Sequence, residues 1–143
     1  MSTISVIPGR LTDEVPATGH RLRRTVGGHY TRSVDAPDCL VVRVDGELDI
    51  TNLETFRRAL SYAIEGSAPT VVVDLRRTRF LSLRNAFALV EAMDEARRVG
   101  VGTHLLAGRR EIERVLEVTG ARTRAHLTSA SRQPWNRGSA VAQ

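Results

Sequence analysis

The sequence predicts a single α/β domain in which helices pack on a mixed, mainly parallel β-sheet, in the order β-β-α-β-α-β-α. Two observations support this fold class. Short apolar segments with strand-like composition alternate along the chain with longer segments that have helical spacing of apolar residues. Helices that connect successive strands of one sheet are typical of parallel pairing. The length of 143 residues is enough for one domain.

The strands are predicted from β-branched residues bracketed by turn signals. The clearest strand is CLVVRV at 39–44, and TVVVDL at 70–75 is a nearly continuous apolar run typical of a strand buried on both faces. A strand is also expected at 101–107, and Leu127 is expected to end a short one. Residues 29–35 are expected to form the first, edge strand. The remaining segments between strands and helices are interpreted as turns and loops, including the turn at 36–38 and the polar loop DGELDIT at 45–51.

Three helices are predicted, at 52–65, 83–99 and 109–119, and glycines follow their ends. Thr51 and Glu54 have the spacing of a capping box at the start of the first helix. Each helix has an apolar stripe that is expected to face the core. The stripes comprise Leu53, Phe56, Leu60 and Ile64; Ala86, Leu89, Val90, Met93 and Ala96; and Ile112, Val115 and Leu116.

The two ends of the chain differ in charge from its body. Residues 1–34 contain five arginines and two acids, and residues 121–143 contain four arginines and no acid, whereas the segment 35–120 has twelve arginines and fourteen acids. We interpret residues 1–28 as a flexible leader, 29–130 as the domain and 131–143 as a mobile basic tail. The preferred interpretation of the arginines in these flanks is solvated charge, and nucleic-acid binding through them is the less favoured alternative.

Composition excludes several classes of enzyme and site. All 21 basic residues are arginines, which excludes a P-loop lysine, a Schiff-base lysine and a lysine general base. The sequence also lacks the GxSxG, GxGxxG, HExxH and CxxC motifs. Asp45, Glu47 and Asp49 alternate in a way that could bind a cation, but a solvated acidic loop is the preferred interpretation. We therefore expect no catalysis, no cofactor and no metal.

The expected location is the cytoplasm. The sequence contains no run of about 18 apolar residues, so no membrane span is predicted. The N-terminus lacks the basic and apolar regions of a secretory signal. Cys39 is the only cysteine, which excludes an internal disulfide.

Two segments, in order and at their observed separation, carry a resemblance to a known family. They are VVRVDGELDITNLETF at 41–56 and VVVDLRRTRFLSLRNAFAL at 71–89, and they are followed by RRVGVGTHLLAGRREIERVLEVTG at 97–120. Together they resemble the STAS domain, the fold of bacterial anti-sigma factor antagonists, over roughly residues 29–130. The resemblance implies a partner that is an anti-sigma factor and also a serine kinase. In such a pair the unphosphorylated antagonist captures the kinase, and phosphorylation of one serine breaks the complex.

The segment that resembles the family's phosphorylation site departs from the family pattern. Ser82 takes the position of the family's aspartate, Leu83 that of the phosphoacceptor serine and Asn85 that of a glycine. Leucine has no hydroxyl, so the usual switch cannot operate at position 83. Either the chain is not switched by phosphorylation, which we favour, or Ser82 accepts the phosphate after a local shift in register. Ser82 also fits the N-cap of the following helix, and this is the preferred interpretation.

We expect the protein to act by stoichiometric protein–protein binding through residues 45–50 and 80–87. The predicted contact residues are Asp49, Ser82, Leu83, Arg84 and Asn85. Leu83 either points outward as an apolar contact or inward as the first core residue of its helix, and the sequence leaves both open. The alternatives to the antagonist function are a scaffold component of a stress-signalling complex and a sensor of a small ligand or nucleotide.

Overall fold

A computed structural model describes residues 2–10 and 37–129 of the chain. Its strands are β1 (Thr3–Gly9), β2 (Cys39–Leu48), β3 (Thr70–Leu81), β4 (Gly102–Ala107) and β5 (His126–Ser129). Its α-helices are α1 (Leu53–Glu65), α2 (Leu83–Arg98), α3 (Arg110–Thr119) and the short α4 (Ala121–Arg124), and a 3-10 turn at Ile50–Asn52 precedes α1. None of the described helices is long and apolar enough to cross a membrane.

The strands form one mainly parallel sheet in the order β1-β2-β3-β4-β5, which confirms the predicted fold class. β1 pairs with β2 in antiparallel fashion, and every other neighbouring pair is parallel. Residues that alternate along the strands face opposite sides of the sheet. One side packs against α1, α2 and α3 and forms the main core, which includes Val42, Val73 and Leu105.

A second apolar cluster lies on the side of the sheet that faces away from these helices. It consists of Cys39, Val41, Val72 and Leu106, all of which are fully buried or nearly so, and Ile7 packs against it. The central strands therefore bury both faces, as the apolar run at 70–75 predicts.

The predicted loop at 45–51 is wrong for residues 45–48, because β2 continues to Leu48. Glu47 lies beside Phe80 and Leu48 beside Leu81, so β3 also runs six residues past its predicted end. Burial still alternates through this extension: Glu47 is exposed and Leu48 is fully buried. Gly46 has a φ of 118°, which non-glycine residues rarely adopt, beside a shift in the β2–β3 register.

The expected flexible leader at 1–28 is wrong for the segment Thr3–Gly9, which forms β1. This segment supplies hydrogen-bonding partners for the outer edge of β2, which would otherwise be unpaired. Ile4 and Val6 also pack against the main core. The expected edge strand at 29–35 and the expected tail at 131–143 lie outside the described residues.

The three main helices are confirmed with ends within one residue of the predicted ones. Two of their details differ from the prediction. The capping box is formed by Asp49 and Asn52 and not by Thr51 and Glu54, because a 3-10 turn precedes α1. Asp49 Oδ1 accepts a hydrogen bond from the Thr51 N–H at 3.0 Å. The Asp49 N–H donates one to Asn52 Oδ1 at 2.9 Å. Leu53 and Val115 are only partly buried.

Candidate functional site

The two segments predicted to form one surface meet at one edge of the sheet. Asp49 directly follows β2, and Ser82 directly follows β3. β2 and β3 are parallel neighbours, so their carboxyl ends lie side by side. The backbone N–H of Ser82 donates a 3.0 Å hydrogen bond to the carbonyl oxygen of Leu48. The ends of these two strands are therefore joined directly at the predicted surface.

Ser82 is the N-cap of α2, which confirms its structural interpretation. Its Oγ accepts a hydrogen bond from the Asn85 N–H at 3.1 Å and donates one to Asn85 Oδ1 at 2.6 Å. An N-cap hydroxyl of this kind satisfies one of the open N–H groups of the first helical turn. The hydroxyl of Ser82 thus acts as donor and acceptor within its own cap.

Asn85 is fully buried beneath this cap. Its Oδ1 accepts from Ser82, whereas its Nδ2 has no hydrogen-bond partner in the described part of the chain. The expectation that Asn85 is a contact residue is therefore corrected, because a fully buried side chain cannot touch a partner in this conformation. Asn85 instead supports the loop from below.

Leu83 points outward, and 55% of its surface is exposed. The structure therefore settles the alternative that the sequence leaves open. Phe87 lies one turn further along the exposed side of α2 and is 51% exposed. Phe80 on β3 and Ile50 after β2 are 50% and 61% exposed. Large apolar side chains are thus displayed at the same edge of the sheet where the two predicted segments meet.

Charged side chains surround these apolar residues. Arg77 lies 3.4 Å from Asp45, and Arg79 lies 3.9 Å from Glu47, both as exposed ion pairs between β2 and β3. Such exposed pairs contribute less than about 1 kcal/mol to stability. Arg84 is exposed and forms no ion pair with any described residue.

The three carboxylates considered as cation ligands do not converge. Asp45 and Glu47 pair with different arginines, and Asp49 caps the 3-10 turn. Hydrogen bonds from the hydroxyl and the N–H of Thr51 lower the pKa of Asp49, so this carboxylate is ionised when it caps the turn. Within residues 2–10 and 37–129, no group of three or more acidic, histidine or cysteine side chains is arranged to hold a metal ion.

Asp74 is a buried charge inside β3, well before the end of the strand at Leu81, and no sequence pattern discussed so far indicated it. Arg76 donates to it from its backbone N–H at 3.1 Å and from Nε and Nη2 at 2.9 Å each, and Arg43 Nε donates at 3.1 Å. Burial acts to raise the pKa of Asp74, but the hydrogen bonds and charge of Arg76, with the bond from Arg43, outweigh it and lower the pKa. A single acid within the apolar run TVVVDL was the signal that could have revealed this site.

Solved structures with the same fold include several anti-sigma factor antagonists. The antagonist from Mycobacterium paratuberculosis superposes with a TM-score of 0.58 at 22% identity, over 68% of this chain and 81% of that one. SpoIIAA in its unphosphorylated form gives 0.58 at 21% identity, over 78% and 96% of the two chains. SpoIIAA from Bacillus in its phosphorylated form superposes with a TM-score of 0.54 at 23% identity, over 71% of this chain and 91% of that one. At these identities the superpositions establish the fold.

The sequence itself gives the family. No curated protein matches the chain closely enough to count as a relative. The family model of the STAS domain, however, matches residues 30–131, which is more than half of the chain. It spans β2 to β5 and the whole of the surface described above. The chain therefore belongs to the STAS domain family.

Proposed function

We propose that the protein is an anti-sigma factor antagonist that acts by stoichiometric binding and is not switched by phosphorylation at the usual position. Its partner is an anti-sigma factor of the serine-kinase type, and capture of that partner frees a sigma factor for transcription, as in a bacterial stress response in the cytoplasm. The observation that carries this proposal is Leu83. It is exposed at the start of α2, where the family pattern has a phosphoacceptor serine.

The physical argument concerns charge at the docking surface. A phosphate adds about −1.5 to −2 charges and disrupts an interface that packs against apolar or acidic groups. Leu83 cannot carry a phosphate, and with Phe87 it presents an apolar surface that is suited to burial in a partner. Complex formation is then controlled by the amounts of the two proteins and not by the kinase activity of the partner.

The hydrogen bonds of Ser82 also support the absence of a phosphorylation switch. Its hydroxyl is engaged in both hydrogen-bonding senses with Asn85, and the side chain is only partly exposed. Transfer of a phosphate to Ser82 would require this cap to open first. Asp49, Ser82, Leu83 and Arg84 accordingly act as contacts or supports of the surface, and no residue of the site is assigned a catalytic role.

The test combines binding with intact-mass measurement. The full chain is mixed with each purified serine-kinase anti-sigma factor from the same genome, with and without ATP. We expect a 1:1 complex whose affinity is the same in both conditions, and no phosphate on the chain.

The matched variant Leu83→Ser restores a hydroxyl at the family's acceptor position. It should gain one phosphate in the presence of ATP and then lose the complex. Stoichiometric phosphate on Ser82 of the wild-type protein would contradict the loss of the switch, and absence of a complex with all such kinases would contradict the antagonist function itself.

A further inference from the structure

A groove lies beside the proposed docking surface, between the first turn of α2 and the outer side of α3. Its volume is about 500 Å³, and it is lined by Leu83, Arg110, Glu111, Arg114, Val115 and Val118. Leu83 stands on one side, and Val115 and Val118 stand on the other. The groove is therefore continuous with the surface that includes Leu83.

The apolar residues of α3 in this groove are not needed to fill the core. Ile112, Leu116 and Thr119 are the buried residues of α3. Val118 belongs to a different face of the helix and is 72% exposed, while Val115 is partly buried at the boundary between the two faces. Exposed apolar residues that gather in one groove with a polar rim mark an interaction site.

Unpaired positive charge forms the rim of the groove. Arg110 and Arg114 are exposed and form no ion pair with any residue in the described ranges, and the same holds for Arg84 next to Leu83. Some other arginines of the helices are paired, as Arg57 is with Glu91 and Arg124 is with Asp94. Arg58 and Arg97 form no ion pair with any described residue either, but they do not line the groove. Among the described residues, Glu111 is the only acid that lines the groove.

We propose that this groove binds one amphipathic α-helix of the partner protein, with apolar side chains toward Leu83, Val115 and Val118 and acidic side chains toward Arg110 and Arg114. The inference rests on the proposed function and extends the docking surface from the start of α2 onto α3. A helix fits because the groove is walled by helices: an extended segment would find no strand edge here for its backbone groups, whereas a helix satisfies its own.

The probe for this inference is a synthetic 18-residue helical peptide. It has leucines at positions i, i+4 and i+7 of one face, glutamates on both sides of that face and a fluorophore at one end. A second peptide is identical except that lysines replace the glutamates. Binding to the full chain is measured by fluorescence anisotropy at two salt concentrations, and the contact residues are mapped by amide chemical shifts.

We expect the acidic peptide to bind at least about tenfold more tightly than the lysine peptide, with an affinity that falls as salt rises. The Arg110→Glu/Arg114→Glu variant should reverse this preference. The matched variant Arg58→Glu/Arg97→Glu makes the same change in net charge at exposed positions outside the groove, and it should retain the preference. Val118→Asp should lose most of the binding and still fold, because Val118 is mainly exposed.

The proposal is overturned if the lysine peptide binds equally well, if the two double variants behave alike, or if the shifts map outside α2 and α3. Its failure is distinguishable from failure of the proposed function. If a serine-kinase anti-sigma factor binds the wild type and the Val118→Asp variant equally, the antagonist function stands and the groove inference falls. If no such kinase binds but the acidic peptide occupies the groove selectively, the groove inference stands and the antagonist function falls.

Discussion

At position 82 a serine forms the cap of α2, and at position 83 a leucine is turned to the solvent. The spacing of the sequence predicts the cap, because Ser82 directly precedes a helical pattern. It could not predict the burial of Asn85 or the outward direction of Leu83. The stripe of Ala86, Leu89 and Met93 does face the core as predicted, but Leu83 and Asn85 lie at its two edges, where helical spacing alone does not decide between burial and exposure.

The Ser82 cap leads to a prediction about stability. Ser82→Ala should lower the free energy of unfolding by about 1–2 kcal/mol, because the Asn85 N–H loses its acceptor and the buried Asn85 Oδ1 loses its donor. Ser82→Asp should remain close to the wild type, because a carboxylate accepts from the Asn85 N–H and the amide of Asn85 can rotate so that Nδ2 donates to it.

Urea unfolding of the two Ser82 variants measures the difference, with the exposed Ser61→Ala as a control for the loss of a serine hydroxyl. An aspartate variant less stable than the alanine variant would contradict the geometry of this cap.

Among the elements, the helices and the central strands could be predicted well, and the ends and edges of the sheet could not. The runs at 39–44 and 70–75 have local signals that need no partner. The extension of β2 past Asp45 contains acids and a glycine, so its strand character comes from its pairing with β3. β1 likewise depends on pairing with residues far along the chain, such as Val6 with Val42, which no local pattern reveals.

The passage from β4 to α3 allows a test of close packing. Gly108 lies where the chain leaves the sheet, and a Cβ atom at this position would be 2.8 Å from the backbone oxygen of Arg76. Gly108→Ala should therefore destabilise the protein by about 1–3 kcal/mol, since a backbone atom of β3 must move. Gly102→Ala is the matched control, because the nearest atom to its added methyl group would be Thr70 Oγ1 at an ordinary 3.7 Å.

Thermal unfolding of these two glycine variants gives the comparison. Equal stabilities would show that the β4–α3 passage has more room than the structure indicates.

For the molecule as a whole, the alternation of strands and helices was enough to predict the fold class, because it follows from backbone hydrogen bonding and apolar burial. The sequence was enough to predict where the candidate site lies in the fold, but not which of its side chains are exposed. The ends of β2 and β3 had to meet if the sheet was parallel, and they do. The pair of Asp74 with Arg43 could not be predicted because it joins two strands across 31 positions of the sequence, whereas Arg76 is only two positions from Asp74 on the same strand.

Asp74 predicts how the stability of the molecule depends on pH. Its pKa is lower in the folded state, so its ionised form stabilises the fold above the pKa of an unfolded aspartate, about 4, and this contribution is lost as the pH falls through the folded value. Asp74→Asn should lower the free energy of unfolding by about 2 kcal/mol at pH 7. The loss is smaller than for a fully buried ion pair, because the side chains of Arg43 and Arg76 are about one third exposed. The unfolding free energy of Asp74→Asn should then fall less steeply than that of the wild type in acid.

Denaturant titrations from pH 7 to pH 2 check this dependence on Asp74. Asp94→Asn, which removes an exposed partner of Arg124, is the control and should change stability by less than about 1 kcal/mol. If the unfolding free energies of the wild type and of Asp74→Asn fall in parallel as the pH is lowered, the prediction is contradicted.

Cys39 begins β2 in the second apolar cluster, where its side chain is fully buried, and it is the only thiol of the chain. A chromogenic disulfide reagent can reach this sulfur only when β2 detaches from its neighbours. We expect labelling in native buffer to be slower than in guanidinium chloride by orders of magnitude, at a rate proportional to the equilibrium constant for that opening. Cys39 is thus a built-in chemical probe of the opening of the sheet around the start of β2, and its labelling rate shows how far a stability variant such as Gly108→Ala changes that opening.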